Sequence, residues 1–212
     1  MKGYRGNRAV RYGLLAAAGL ALWLLLAGPG RVLGLDPGQI GMALLVATTW
    51  IALYFVRHAP RDERGQTVSP GEWRAWIGVG FMAAAVAYFL ARLDLFTGPE
   101  GMGSAHARAV ARNLVMLGIA WAVLGQVLAA RWKGQIQEDE RDREIARRAA
   151  HWGYGALVFC VIALAVTLGF SPAHRLQWAS HFLLANLLVL VLMLGWLCEY
   201  AATAVYYWRD RR

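Results

Sequence analysis

Residues 149–174 read AAHWGYGALVFCVIALAVTLGFSPAH, twenty-six positions without one Asp, Glu, Lys or Arg. A helix that crosses a bilayer needs about 20 mostly apolar residues. A strand of an outer-membrane barrel needs half that length and strict alternation, which this Leu- and Ala-rich run lacks. With no water to bond its amides in hydrocarbon, such a run must be an α-helix.

Five more charge-free runs flank it, at residues 12–30, 37–56, 75–91, 113–130 and 176–198, each 17 to 23 residues long. Over the whole chain 58% of residues are hydrophobic and only 17% charged, with a mean hydropathy of +0.40. Soluble domains carry about 25% charged residues. An ordinary soluble enzyme, a disordered chain and a disulfide scaffold are therefore excluded. The expectation is an all-α polytopic membrane protein, one transmembrane domain over residues 1–212. Its six transmembrane helices fall at about 12–28, 37–56, 73–95, 108–131, 149–169 and 178–206.

The connections carry helix-start chemistry. Asp36-Pro37-Gly38-Gln39 and Ser69-Pro70-Gly71-Glu72 place a capping side chain before a proline that has no amide to leave unbonded. Ser171-Pro172 repeats the first two elements and predicts the start of the last helix there; Ser104 is a candidate cap for the fourth. Gly-x-x-x-Ala pairs at Gly13/Ala17, Gly80/Ala84 and Gly118/Ala122 are candidate close-packing faces, within one chain or in a homodimer.

Arginine placement sets the orientation. With both termini cytoplasmic, 17 of the 22 Lys and Arg residues fall on inner segments and five on outer ones, as the positive-inside rule demands. The net charge of +9 is then a topology signal and an attraction to membrane lipids, and no nucleic-acid partner is implied. Trp73, Trp76, Trp132, Trp152 and Trp208 cluster near the inner boundary as an aromatic belt. The first span follows a basic stretch and reads as an uncleaved signal anchor. The expected location is a bacterial-type inner membrane.

Asp62-Glu63-Arg64 follows the second span and Asp139-Glu140-Arg141 the fourth. A 77-residue offset relates them and superposes residues 40–95 on 117–172, a parallel repeat of a helical hairpin. Glu138 to Ala149, EDERDREIARRA, resembles the cytoplasmic Asp-Glu-Arg pattern of small bacterial and archaeal membrane proteins of unknown function. That resemblance implies a cytoplasmic loop and no particular activity. In the first copy Gly65-Gln66-Thr67 replaces the acidic-Ile continuation.

Three groups of polar residues are candidates for function. Asp62, Glu63, Arg64, Asp139, Glu140 and Arg141 form a candidate docking surface for a cytoplasmic protein. Their plain alternative is a solvated helix extension, acids first and bases after, with i,i+4 pairs Asp139–Arg143 and Glu144–Arg148. Glu199, with Thr203 one turn on, is the only acid well inside a span, a costly position that marks either a structural polar contact or a proton or cation site. Arg92, Asp94, Arg112, Asn113, His181 and Asn186 gather at the outer helix ends. They line an outward pocket with an Asp94–Arg92 or Asp94–Arg112 pair, or they are interfacial charge.

No metal site is expected, because arginines surround the acids and no calcium-loop spacing occurs. His58 and His151 at one depth and His106, His174 and His181 at another sketch the axial ligands of a b-type cytochrome, but they flank the spans, and no cofactor is predicted. Cys160 and Cys198 lack redox spacing. Hydrolase, zincin and phosphate-loop motifs are missing, so the enzyme question leans to no. A non-enzymatic regulatory or anchoring module is the leading expectation; a small transporter of protons, cations or a small solute, then a b-type cytochrome, are the alternatives.

Overall fold

A computed structural model describes residues 3–26, 36–58, 70–97, 104–132 and 140–210. Among the described residues the fold is all-α, with seven α-helices, one 3-10 turn and no strand. The chain divides into two compact units, Met1–Ala59 and Pro60–Arg212.

The first unit is a hairpin of α1 (Gly3–Leu26) and α2 (Pro37–His58). Asp36 opens α2 as expected: its Oδ1 accepts the Gly38 amide at 2.9 Å, and its carbonyl accepts the amides of Gln39 and Ile40. The two helices touch backbone to backbone at Gly41. A Cβ there would lie 2.6 Å from the Leu25 nitrogen and 2.7 Å from the Ala21 oxygen. Only hydrogen fits, and the resulting contact is van der Waals packing of the kind that joins helices in lipid. Thr49, buried, returns its hydroxyl to the Leu45 carbonyl at 2.7 Å, so that hydroxyl is satisfied within its own helix.

The second unit holds α3 (Pro70–Leu90), α4 (Asp94–Thr97), α5 (Ala105–Trp132), α6 (Glu140–Phe170) and α7 (His181–Asp210). Helix α7 is its axis: α6 and α3 pack extensively on it, and α5 more lightly. Against α6 the approach is through Gly153, whose added Cβ would stand 2.8 Å from Glu199 Cβ and 3.0 Å from the Gly195 carbonyl. Against α3 the Tyr200 ring fills the space beside Gly78. Phe81 of α3 stacks on Trp121 of α5 at 4.8 Å. Phe96, almost fully buried in α4, stacks on Phe182 of α7 at 5.5 Å and lies 5.3 Å from Phe89 of α3.

Five of these helices are long and apolar enough to cross a membrane: α2, α3, α5, α6 and α7. The apolar part of α1, Tyr12–Leu26, is shorter. The outward faces are apolar too. Phe159 is 73% exposed and Phe170 85% exposed on α6, an arrangement water would penalise and hydrocarbon would not.

The structure corrects several details of the sequence reading. The last long helix starts at His181 rather than after Ser171: Ser180 Oγ accepts the Leu183 amide, and Ser171-Pro172 leads only into the 3-10 turn Ala173–Arg175. The third span breaks at a turn over residues 91–93 before α4. Gly13 and Gly80 have nothing within 4 Å of an added Cβ, so the tight seams run through Gly41, Gly78 and Gly153 instead. The packed helix pairs are α1 with α2, and α7 with α6 and α3. Ser104 caps α5 as expected, its Oγ accepting the Ala107 amide at 3.4 Å.

Candidate functional site

Helix α6 contains 31 residues and α7 30, each about 45 Å long against a hydrocarbon core of about 30 Å. Both are therefore longer than such a core is thick. They run antiparallel, since Gly153 meets Glu199 while Asp142 meets Tyr207. The charged first turns of α6 thus lie beside the last turns of α7. Tyr207 Oη donates to Asp142 Oδ1 at 2.9 Å, and Arg141 pairs with Asp210. The same Tyr207 hydroxyl presses on Gly71, which brings the start of α3 to this end.

The two links differ in weight. Arg141 and Asp210 are each about half exposed, and such a pair contributes only about 0–1 kcal/mol. Tyr207 is 6% exposed, and a hydrogen bond to a charged acceptor contributes about 1.5–3 kcal/mol. Tyr207 is therefore the principal tie. Beyond it, Glu144 accepts from Arg147 at 2.6 Å and from Arg148 at 2.7 Å on the exposed face. Trp152 Nε1 donates to Tyr206 Oη at 2.9 Å across the two helices.

Of the expected docking residues, Glu140 is exposed and Arg141 is held by Asp210. Asp62, Glu63, Arg64 and Asp139 lie outside the described residues. The Glu144–Arg148 pair forms as the i,i+4 spacing predicts. Tyr207 and Asp210 were not singled out as functional. Tyr207 reads in sequence only as one of several aromatics at a span's end, and nothing there names Asp142 as its partner.

Glu199 sits deeper, half-buried on α7, with its Cβ against Gly153. Thr203 does lie one turn away, but its hydroxyl donates to the Glu199 backbone carbonyl at 2.8 Å and not to the carboxylate. Next to Glu199 the Tyr200 hydroxyl accepts from Trp121 Nε1 at 3.0 Å, with the two rings edge to face. Glu72, in the first turn of α3, is 1% exposed and accepts from Trp76 Nε1 at 3.4 Å. In the sequence Glu72 reads as helix-start chemistry, and nothing local singles out Tyr200. Their place in the bundle follows from α3 packing on α7, which no local pattern encodes.

The six outer residues differ in their surroundings. Asn113 is buried and donates to Tyr88 Oη at 3.3 Å, leaving its Oδ1 buried without a partner. Asn186 is buried and donates to the Phe182 carbonyl at 2.8 Å. Arg112 is exposed, and so are His181 and Asp94; Arg92 is half-buried in the turn after α3. Among the described residues no ion pair joins Asp94 to Arg92 or Arg112, so the expected Asp94 pairing is not formed. Among the described residues Arg112 and Asn186 line one open groove of about 370 Å³ between α5 and α7.

The histidines His106, His151, His174 and His181 are all exposed, and His151 Nδ1 lies 2.7 Å from the Arg147 carbonyl. Cys160 and Cys198 are free thiols, half-buried. Among the described residues no three His, Cys, Asp or Glu side chains come close enough to hold a metal ion.

The fold and these sites define a class: an all-α protein with five helices fit to cross a membrane, polar chemistry at one end and sparse polar residues within. Compared with known protein families, curated proteins and solved structures, the chain matches none of them.

Proposed function

We propose that this chain is a six-span inner-membrane protein with both termini cytoplasmic. It serves as a non-enzymatic module that anchors or regulates a cytoplasmic protein through its charged inner end. One observation carries the reading: the first nine residues of α6 reach about 13 Å beyond its apolar stretch and are fastened to the end of α7 by Tyr207–Asp142 and Arg141–Asp210. A merely solvated extension needs no such fastening, whereas a docking surface gains from being held in one geometry before the partner arrives. The Asp-Glu-Arg resemblance and the 77-residue repeat support a second charged element on the same side.

The test is recovery of cross-linked partners from membranes carrying the full chain. Glu140→Arg with Glu144→Arg reverses the exposed acids and spares both ties to α7. Loss of a partner captured by the unaltered chain supports the reading; equal recovery refutes it.

Glu199 favours a second reading, a small proton- or cation-coupled transporter, dimeric or monomeric. It is a carboxylate within an apolar helix, set where α6 packs on α7 at Gly153. Proteoliposome flux that survives Glu199→Gln removes Glu199 as the carrier.

A further inference from the structure

Arg112 lies seven residues into α5, in the candidate span Ala105–Gln126, about 10 Å from the helix start. It is exposed, and among the described residues it has neither an ion pair nor a hydrogen bond. A lone cation at that depth is costly unless an anion meets it or its side chain reaches the headgroups. Arg108, one turn nearer the helix start on the same face, is also exposed. Below Arg112 the surface is concave and apolar: Val115 and Met116 of α5 face Phe182, Ala185 and Val189 of α7 across the 370 Å³ groove. The Asn186 amide is already committed to the Phe182 carbonyl, so Arg112 supplies the charge of this site. His106 on α5, His181 at the start of α7, Asp94 in α4, Arg92 in the turn before it and His174 in the 3-10 turn are also titratable or charged groups at this end; His106, His174, His181 and Asp94 are exposed, and Asp94 pairs with neither Arg108 nor Arg112.

From this arrangement we infer that the α5–α7 groove is a binding site for an anionic phospholipid, its phosphate on Arg108 and Arg112 and one acyl chain along Val115, Ala185 and Val189. A basic mouth above an apolar trough matches the order of charge and hydrocarbon in a lipid. The trough lies within the roughly 300–1,000 Å³ range of small-molecule sites. The inference rests on the chain lying in a bilayer, not on its docking role.

The full chain in nanodiscs of equal phosphatidylglycerol and phosphatidylcholine, released for native mass spectrometry, provides the test. The chain's stable residence in the discs checks the membrane reading separately. One phosphatidylglycerol should be retained. Each basic residue near an anionic surface contributes about 1 kcal/mol, or about fivefold in affinity, so Arg108→Gln with Arg112→Gln should weaken phosphatidylglycerol about 30-fold and leave phosphatidylcholine unchanged. Ala185→Trp, which fills the trough from an exposed position, should displace both lipids. Wild-type retention by either variant overturns the site. So does a dimer that Ala185→Trp dissolves, which would mean a second copy occupies the groove.

Discussion

The seam between α6 and α7 makes the sharpest prediction about how this protein is held together. Gly153→Ala would add a methyl 2.8 Å from Glu199 Cβ and 3.0 Å from the Gly195 carbonyl, where ordinary contact begins at 3.4 Å. Neither atom is the free end of a flexible side chain, so the helices must separate by several tenths of an ångström along the seam. Overpacking of that kind costs about 1–3 kcal/mol. Alanine also returns up to about 1 kcal/mol of helix propensity, which blurs a single measurement. Gly155 removes the ambiguity: two positions along, it lies on another face with nothing within 4 Å of an added Cβ. Gly155→Ala collects the propensity gain without the clash. The difference between the two variants therefore isolates the steric cost and should be about 1–3 kcal/mol, with Gly153→Ala the less stable. Reversible unfolding in mixed detergent–SDS micelles, followed by circular dichroism, measures both. Equal stability of the two variants would show that α6 and α7 do not meet at Gly153.

Three smaller expectations follow from the hydrogen bonds. Ser180→Ala removes the cap on the Leu183 amide and should cost about 1 kcal/mol in the same assay, while Ser171→Ala, outside α7, should cost clearly less. Tyr207→Phe removes the bond to Asp142 and should cost about 1.5–3 kcal/mol; hydrogen exchange should then rise first at the start of α6. Trp121→Phe keeps an aromatic ring beside Phe81 but loses the donor to Tyr200. Its expected cost is about 0.5–1.5 kcal/mol, and a loss too small to measure would mean that stacking alone holds that corner.

The helices and most of their starts were legible because their causes are local. Length without charge marked the five helices long and apolar enough to cross a membrane, and Asp36 or Ser104 caps an amide two or three residues away. Where two such signals compete, locality misleads. Ser171-Pro172 has the form of a helix start, yet the chain spends it on a 3-10 turn, and Ser180 begins the helix. The candidate residues were legible as types but not as partners. Glu199 was recognisable as a misplaced acid, whereas Gly153, which it packs against, stands 46 positions away.

By itself, then, the sequence determined the secondary structure and the presence of helices long and apolar enough to cross a membrane: apolar runs of bilayer length can satisfy their amides in hydrocarbon only as helices. Which helix lies on which was a matter for the tertiary structure. Apolar faces in lipid are nearly interchangeable, because lipid tails solvate Leu as well as another helix does, and the choice falls to shape. Gly41 meets the Leu25 and Ala21 backbone, Gly78 the Tyr200 ring and Gly153 the Glu199 Cβ and Gly195 carbonyl, whereas Gly13 and Gly80 meet nothing within 4 Å. The same fit turned Tyr207 toward Asp142 and set Arg112 above an open groove.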